Sequence, residues 1–286
     1  MSENAFITIV NGLKLLKKHP VLFVPGIAYY TIAIFLAFLF GFFIIADLKM
    51  NLGISTFSLL SILFFLLMIL LSSFTTAGSI GMAKEVLETG YTDSRHLFSY
   101  GKKFTLRLIW ASFFIMMLRM VSAFFWTPVL NIIGSSEYGT EYVINALKTD
   151  PTLLLPMVDA LAAPVFIAIL ASSLYLLLVS FMFYFVSYII VIDNMKVFKS
   201  YRTSFKLLRK RPIRVSSFVF LITIIEMLIT FISVLVMAAL NYLGISFYSN
   251  FFIHLIISLF LTAAMNIWVT RFYMILTEKS CAPMNG

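Results

Sequence analysis

The chain has 286 residues, of which 62% are apolar and only 12% are charged, and its mean hydropathy is +1.03. Soluble domains are nearer half apolar and a quarter charged, so the composition excludes a water-soluble fold of this size. The 31 phenylalanines, 13 tyrosines and 3 tryptophans exclude an intrinsically disordered chain. We therefore predict an all-α polytopic membrane protein.

Six stretches are long and apolar enough to form transmembrane helices. Such a helix needs about 20 mainly apolar residues, because hydrocarbon leaves every backbone polar group to be satisfied within the segment. The six stretches are residues 21–45, 57–82, 108–133, 160–192, 213–240 and 250–277. No other segment of the sequence meets the requirement.

The distribution of lysine and arginine predicts how these helices are threaded. Of the 21 basic residues, 18 fall on one side, only Lys49 and Lys148 on the other, and Arg119 within a span. Cytoplasmic loops are enriched in lysine and arginine, so both termini are expected in the cytoplasm of a multi-pass cell membrane protein. The net charge of +9 follows from this threading. No nucleic-acid-binding motif accompanies it, and no nucleic-acid partner is expected.

The sequence contains an internal repeat. Residues 12–21 align without gaps on residues 204–213, with five of ten positions identical, and residues 98–107 form a weaker third copy. In the two stronger copies a short basic segment ends at a proline, Pro20 or Pro212, that begins a span. We predict a single membrane domain of three parallel repeats, each an interfacial amphipathic helix followed by a membrane hairpin. The units are residues 1–82, 83–192 and 193–277, with a cytoplasmic tail at 278–286. Two arrangements are open: the three units pack around a pseudo-threefold axis, or they pack without that symmetry.

The last copy of the repeat is the most clearly amphipathic. Val197, Tyr201, Phe205 and Leu208 recur at helical spacing, and basic residues take another face. Such a helix lies in the membrane interface with its apolar side chains down and its basic ones among lipid phosphates. The residues predicted to contact anionic head groups are Lys14, Lys17, Lys18, Lys102, Lys103, Lys199, Arg202, Lys206, Arg209 and Lys210.

Two short motifs each have two interpretations. Asp193-Asn194, just before the last copy, is predicted to cap that helix, the alternative being a metal or head-group contact. Residues 72–81 concentrate small and hydroxyl side chains in the second span. Their predicted role is close helix packing, with Ala77 and Gly81 at small-xxx-small spacing. The alternative is a polar lining for a pore or lipid groove.

Residues 188–212, together with segments 82–90 and 97–102, resemble a recurring feature of a loose group of six-helix prokaryotic membrane proteins. That group includes the membrane-embedded domain of some glycerophosphodiester phosphodiesterases and several uncharacterised inner-membrane families. The resemblance covers most of the chain and implies the six-helix architecture and the membrane location. It supplies no catalytic residues to transfer, and a soluble phosphodiesterase domain is not expected here.

Two charged residues fall near the middle of predicted spans, Arg119 in the third and Glu226 in the fifth. A lone charge at the bilayer centre costs roughly 2.5–3.5 kcal/mol on insertion scales, so such residues normally face a partner or water. The favoured interpretation is a buried ion pair that fixes how the two spans pack. The alternatives are a substrate or proton site in a polar cavity, or a side chain that snorkels to the interface.

No catalytic constellation is recognisable. The histidines are His19, His96 and His254, and no zinc-protease, cysteine/histidine or nucleophile-elbow motif is present. We therefore expect no cofactor and no enzyme activity. The predicted function is that of a scaffold or accessory protein that acts through membrane lipids and partner membrane proteins. The alternative is a transporter or channel for a small molecule or lipid that uses an Arg119/Glu226 site.

Overall fold

The computed structural model describes residues 5–50, 54–133, 155–242 and 247–279, and every regular element within them is helical. Two short 3-10 helices, Pro20–Phe23 and Val121–Trp126, interrupt the α-helices. In chain order, the α-helices are α1 Ala5–Lys18, α2 Val24–Met50, α3 Ile54–Thr89, α4 Arg95–Met120, α5 Thr127–Ile133, α6 Leu155–Phe183, α7 Val186–Ile192, α8 Val197–Lys210, α9 Pro212–Tyr242 and α10 Phe247–Leu276.

Six segments within the described residues are long and apolar enough to cross a membrane, which confirms the predicted number. They are Pro20–Ile45, Ser58–Thr89, Arg95–Asn131, Leu161–Ile192, Pro212–Ala238 and Phe252–Leu276. The apolar side chains on their surfaces fit a lipid environment, since Phe38 and Phe42 are 76% and 70% exposed. The third segment begins earlier than predicted because α4 continues through the basic residues that precede the apolar stretch.

The chain divides into two compact units. One comprises the residues up to Ala111 and those from Phe185 onward, and the other is Ser112–Tyr184. In the first unit, α10 packs against α1, α2, α3 and α9, and α2 pairs with α3. The Phe40 and Phe64 rings of that pair stack with their centroids 4.6 Å apart. The three repeat units and their boundaries stay predictions.

The core of the first unit is built from aromatic and aliphatic side chains of α7, α9 and α10. Phe218 of α9 and Phe272 of α10 stack in parallel with their ring centroids 3.7 Å apart. Phe185, which immediately precedes α7, stacks on Phe272 at 6.1 Å. Phe185, Phe218 and Ile189 are at most 1% exposed. This core fixes the position of α7 and therefore of the link into α8.

Small residues bring α3 and α4 into close contact, as the run at 72–81 predicted. A side-chain carbon at Gly81 would collide with the ring of Tyr100, and one at Gly78 would collide with Leu97. Ala77, at the predicted small-xxx-small position, is fully buried. Absent side chains therefore let large groups of one helix lie against the backbone of the other.

In the second unit, side-chain hydroxyls donate hydrogen bonds to backbone carbonyl groups at a break in the third candidate span. The chain changes from α4 to a 3-10 helix at Val121, which removes partners from nearby carbonyl groups. Tyr175 of α6 donates its hydroxyl to the Leu118 carbonyl at 2.8 Å, and Ser172 donates to the Ser122 carbonyl at 3.4 Å. Because unsatisfied carbonyls are costly in an apolar environment, these hydroxyls make the break tolerable.

The prediction of a separate interfacial helix before the third span is wrong. Residues 95–107 are the first turns of α4, which runs without interruption from Arg95 to Met120. In the other two copies a proline ends the short helix, with Pro20 after α1 and Pro212 after α8. Proline cannot donate the hydrogen bond that would continue a helix, and the middle copy has none at this position.

The burial pattern of the middle copy favours a different alignment with the other two copies. The sequence alignment pairs Phe98 with Gly12 and Ser204, yet Phe98 is 66% exposed whereas Gly12 and Ser204 are buried. Gly101, three residues later, is buried and lies against Phe74. The middle segment therefore has the same helical burial pattern as the other two when Gly101 takes the position of Gly12.

Gly81→Ala should destabilise the protein by about 1–3 kcal/mol, the usual cost of overpacking, because the added methyl group meets the Tyr100 ring. The measurement is the thermal unfolding midpoint in detergent. Gly41→Ala is the matched control, since nothing lies within 4 Å of a side-chain carbon at this helical position. An alanine there should leave the midpoint unchanged or raise it. Equal midpoints for the two variants would contradict the close contact of α3 with α4.

Candidate functional site

The short helices α1 and α8 are built to the same plan. Each has 14 residues, and the sequence alignment pairs their first residues with each other and their last residues with each other. Paired positions share burial: Thr8 and Ser200 are fully buried, and Gly12 and Ser204 lie one turn further along the same side. At Gly12 a side-chain carbon would collide with the Trp268 ring of α10. Both helices thus pack on the first unit by corresponding faces.

Each of the two helices also carries exposed apolar side chains beside its packed face. Phe6 and Phe198, at paired positions, are 65% and 71% exposed. Leu13 and Phe205, also paired, are 38% and 44% exposed. The prediction placed Phe205 on one face with Tyr201, which is half-buried. The apolar face is therefore wider than the face that packs on the protein, and Phe205 lies on its exposed part.

The basic residues predicted to meet anionic head groups are all exposed. They are Lys14, Lys17 and Lys18 of α1, Lys102 and Lys103 of α4, and Lys199, Arg202, Lys206, Arg209 and Lys210 of α8. Within the part of the chain that the structure describes, none of the ten forms an ion pair. We call the eight on α1 and α8 the basic surface. Lys148, assigned to the opposite side, lies outside the described residues, as does the side chain of Lys49.

Other basic residues nearby have protein partners. Arg107 donates from Nη1 to Asn194 Oδ1 at 2.8 Å, and Arg211 pairs with Glu278 at 2.8 Å. Lys279 forms an ion pair with Asp193. The sequence alone does not show that these three cations differ from the ten exposed ones, because the partners of the three lie 67 to 87 positions away in the chain.

The predicted capping role of Asp193-Asn194 is wrong. The N-cap residue of α8 is Lys196, and no side chain caps this helix. Asn194 adopts a left-handed conformation with φ of 52°. Met195 and Lys196 separate the motif from the first residue of α8. The Asp193 carboxylate instead accepts a hydrogen bond from the Tyr273 hydroxyl at 2.7 Å and pairs with Lys279. Asp193 therefore ties the end of α7 to the end of α10.

Arg119 and Glu226 lie in different units, so their pairing stays a prediction. Arg119 is exposed near the end of α4 and donates from Nη2 to the Ser180 hydroxyl of α6 at 3.3 Å. Glu226 is half-buried in the middle of α9. Each residue is placed within a helix of spanning length, as the sequence indicated.

A polar cavity of about 210 Å³ lies between α2, α3 and α10. Its lining is formed by the remaining face of the 72–81 run together with residues that the sequence reasoning missed. The lining residues are Pro25, Gly26, Tyr29, Tyr30, Ser72, Thr75, Thr76, Ser79, Thr262 and Asn266. The run therefore has two faces on α3: Ala77 and Gly81 are packed, and the hydroxyls line a cavity. The alternative of a pore or lipid groove stays a prediction.

Several polar groups of this cavity have no hydrogen-bond partner among the described residues. Thr75 donates to the Leu71 carbonyl at 2.9 Å, and Thr262 donates to the Ser258 carbonyl at 2.8 Å. Among the described residues the side chains of Ser72, Thr76 and Ser79 make no hydrogen bond, although Ser79 is only 6% exposed. The lining contains no charged side chain.

The histidines do not assemble a metal site within the described ranges, where no group of three or more His, Cys, Asp or Glu side chains is found. His96 Nδ1 lies 3.3 Å from the Thr92 hydroxyl. Partial burial lowers the pKa of His19, and the neighbouring Lys18 lowers it further. Both effects favour the neutral form of His19, which lies at the junction between α1 and the first span.

One protein family matches residues 5–278, a domain of unknown function designated DUF7847. The chain belongs to the DUF7847 family. The match includes α1, α8 and all six candidate spans, so both short basic helices and the polar cavity lie within the DUF7847 domain. No curated protein and no solved structure matches the chain.

Asp193→Asn should lower stability by about 1.5–3 kcal/mol, because it removes a carboxylate that is 14% exposed and contacts both Tyr273 and Lys279. The thermal unfolding midpoint in detergent measures this loss. Asp93→Asn is the control, since the Asp93 carboxylate lies 3.7 Å from an Arg95 side chain that is 92% exposed. Exposed pairs of this kind contribute little, and the control should change the midpoint only slightly. Equal losses would contradict the structural role of Asp193.

Proposed function

We propose that this DUF7847 protein is a non-enzymatic scaffold or accessory protein of the cell membrane that holds anionic lipids at its cytoplasmic face. The observation that carries the proposal is the matched surface of α1 and α8. Each helix packs by one face on the protein and exposes apolar side chains beside a row of basic ones. Other membrane proteins are the second class of partner, and nucleic acid is not one.

This arrangement has the properties of a helix in the membrane interface. Such a helix places its apolar side chains at the boundary between head groups and acyl chains and its basic side chains among phosphates. Phe6 and Phe198 would reach the boundary, while Lys206, Arg209 and their counterparts would meet the head groups. Each basic residue near an anionic surface contributes about 1 kcal/mol, so several together can retain a lipid.

The same distribution of charge supports a cytoplasmic location for both termini. Eighteen of the 21 lysines and arginines flank the side on which α1 and α8 lie, in agreement with the preference of basic loops for the cytoplasm. The six helices of spanning length support a multi-pass topology in which each hairpin enters from that side.

The three-repeat organisation is part of the proposal. It is supported by the equal length and paired burial of α1 and α8, and by the matching burial pattern around Gly101. The loss of a separate interfacial helix in the middle repeat follows from its missing proline. Six spans and parallel repeats also fit the proposed kinship with the six-helix prokaryotic membrane proteins that include phosphodiesterase membrane domains.

Lys206→Gln/Arg209→Gln should weaken the retention of phosphatidylglycerol about 30-fold, since two contributions of about 1 kcal/mol are lost. Native mass spectrometry of the full chain, titrated with dioleoylphosphatidylglycerol, measures the binding. The control Arg107→Gln/Arg211→Gln removes the same charge from cations that have protein partners. It should leave lipid binding within about threefold of the unchanged protein. Equal effects of the two double variants, or no effect of either, would contradict the proposal.

Transport of a small molecule or lipid is the second candidate function. It is favoured by Arg119, a charge within a candidate span whose partner in the described chain is a neutral hydroxyl at 3.3 Å. Such residues commonly mark a substrate or ion pathway. Under this alternative, Arg119 and Glu226 form the site.

A double-mutant cycle of Arg119→Ala and Glu226→Ala tests this pairing. If the two side chains meet, each single change leaves an uncompensated charge, and the double variant should be more stable than the sum of the single losses predicts. Thermal unfolding midpoints of the four proteins give the coupling. Ser180→Ala is the control for the loss of the contact that Arg119 makes within its own unit. Additive losses would reject the pair.

A further inference from the structure

The polar cavity between α2, α3 and α10 contains hydroxyl groups that have no hydrogen-bond partner among the described residues. Ser79 is 6% exposed and lines the cavity, and within the described residues its hydroxyl makes no hydrogen bond. Thr76, one turn before it along the same face of α3, is half-buried, and its hydroxyl also makes no hydrogen bond within the described residues. Both oxygens are accessible from the cavity, since among the described residues the fully buried side-chain polar atoms without a partner are Trp268 Nε1 and Thr270 Oγ1. A molecule that enters the cavity can therefore form hydrogen bonds to these hydroxyls, and in an apolar surrounding such bonds are favourable.

The chemistry of the lining selects a neutral occupant. No charged side chain contributes to it, so a charged ligand would be left without a counter-charge in an apolar surrounding. Hydroxyl groups offer both a donor and acceptor lone pairs, and Tyr29 and Tyr30 add two phenols. The volume of about 210 Å³ exceeds the roughly 30 Å³ of one water several times over. The fitting group therefore carries hydroxyls and carbonyl or ester oxygens but no charge.

The open sides of the cavity indicate the source of that group. Ser72 and Thr262 are exposed at its edge, and both belong to helices of spanning length. Asn266, on the opposite wall from α3, lies two residues before Trp268, against which Gly12 of α1 packs. The cavity thus lies within about a turn of α10 from the residue that contacts α1. This step rests on the proposed position of α1 in the membrane interface, which gives the cavity the depth of the hydroxyl and ester groups of membrane lipids.

We propose that this cavity binds the neutral, hydroxyl-bearing head group of a membrane lipid, which enters sideways past Ser72 and Thr262. The hydroxyls of Thr76 and Ser79 hydrogen-bond to the head group, and its acyl chains remain in the bilayer. This site goes beyond the proposed lipid-holding function, because it requires none of the residues of the basic surface. It recognises hydrogen-bonding groups, whereas the basic surface recognises charge.

The test uses the full-length protein in detergent and native mass spectrometry with 1,2-dioleoylglycerol as the probe. Thr76→Val/Ser79→Ala removes the two hydroxyls without adding bulk and should weaken binding at least tenfold. The matched control is Thr223→Val/Ser217→Ala, whose hydroxyls donate to their own helix at the Val219 and Arg214 carbonyls. This control should bind the probe as the unchanged protein does. Thr76→Val and Ser79→Ala as single changes give the same readout if the double variant does not fold.

Two further arms separate the source and the chemistry. The same diacylglycerol with its hydroxyl acetylated should bind at least tenfold more weakly, and free glycerol should not bind at concentrations that saturate with the lipid. Lys206→Gln/Arg209→Gln should leave diacylglycerol binding unchanged, so failure of the basic surface and failure of this site are distinguishable. Equal binding by the cavity variant and its control, equal binding of the acetylated lipid, or equal binding of free glycerol would overturn the proposal.

Discussion

The need to satisfy backbone polar groups in an apolar environment is the constraint on which the spanning helices of this protein depend. Where α4 gives way to a 3-10 helix at Val121, the hydroxyl of Tyr175 reaches the Leu118 carbonyl at 2.8 Å. Where threonines occur inside spans, as at Thr223, they donate to the carbonyl one turn earlier. Among the described residues the hydroxyls of Thr76 and Ser79 make no such bond and are accessible from the cavity, which is where we propose that another molecule forms hydrogen bonds with them.

The basic residues of the chain fall into two groups, those with partners in the protein and those without an ion pair among the described residues. Arg107, Arg211 and Lys279 have partners within the chain, and these contacts fasten the links around α7, α8 and the end of α10. The ten cations on α1, α4 and α8 have no ion pair within the described residues and are exposed. Ion pairs at an exposed surface add little stability, so the ten cations are not needed as partners within the chain. Their charge therefore remains available to anions from outside the chain, as proposed above.

The sequence was sufficient for features that depend on solvent and helical period. Twenty apolar residues in a row fix a span, and the match between residues 12–21 and 204–213 identified α1 and α8, whose bounds correspond residue for residue. Contacts between residues far apart in sequence could not be predicted. Asp193 looked like a capping residue because its partners, Tyr273 and Lys279, are 80 and 86 positions away. No proline precedes the third span, and α4 accordingly runs through residues 95–107 without interruption.

The cavity escaped prediction because its polarity is spread over three helices. The run at 72–81 supplies only one wall, and the second and third depend on Tyr29, Tyr30, Thr262 and Asn266 facing it. Thr262 and Asn266 are four residues apart and therefore share a helix face, and this spacing indicates a polar wall on α10.

The two proposed lipid contacts differ in physical character. Attraction to the basic surface acts on any anion and is screened by salt over about 8 Å at physiological ionic strength. Hydrogen bonds inside the cavity are short and directional, so salt does not screen them, and selectivity among lipids has to come from the cavity rather than from the charge above it.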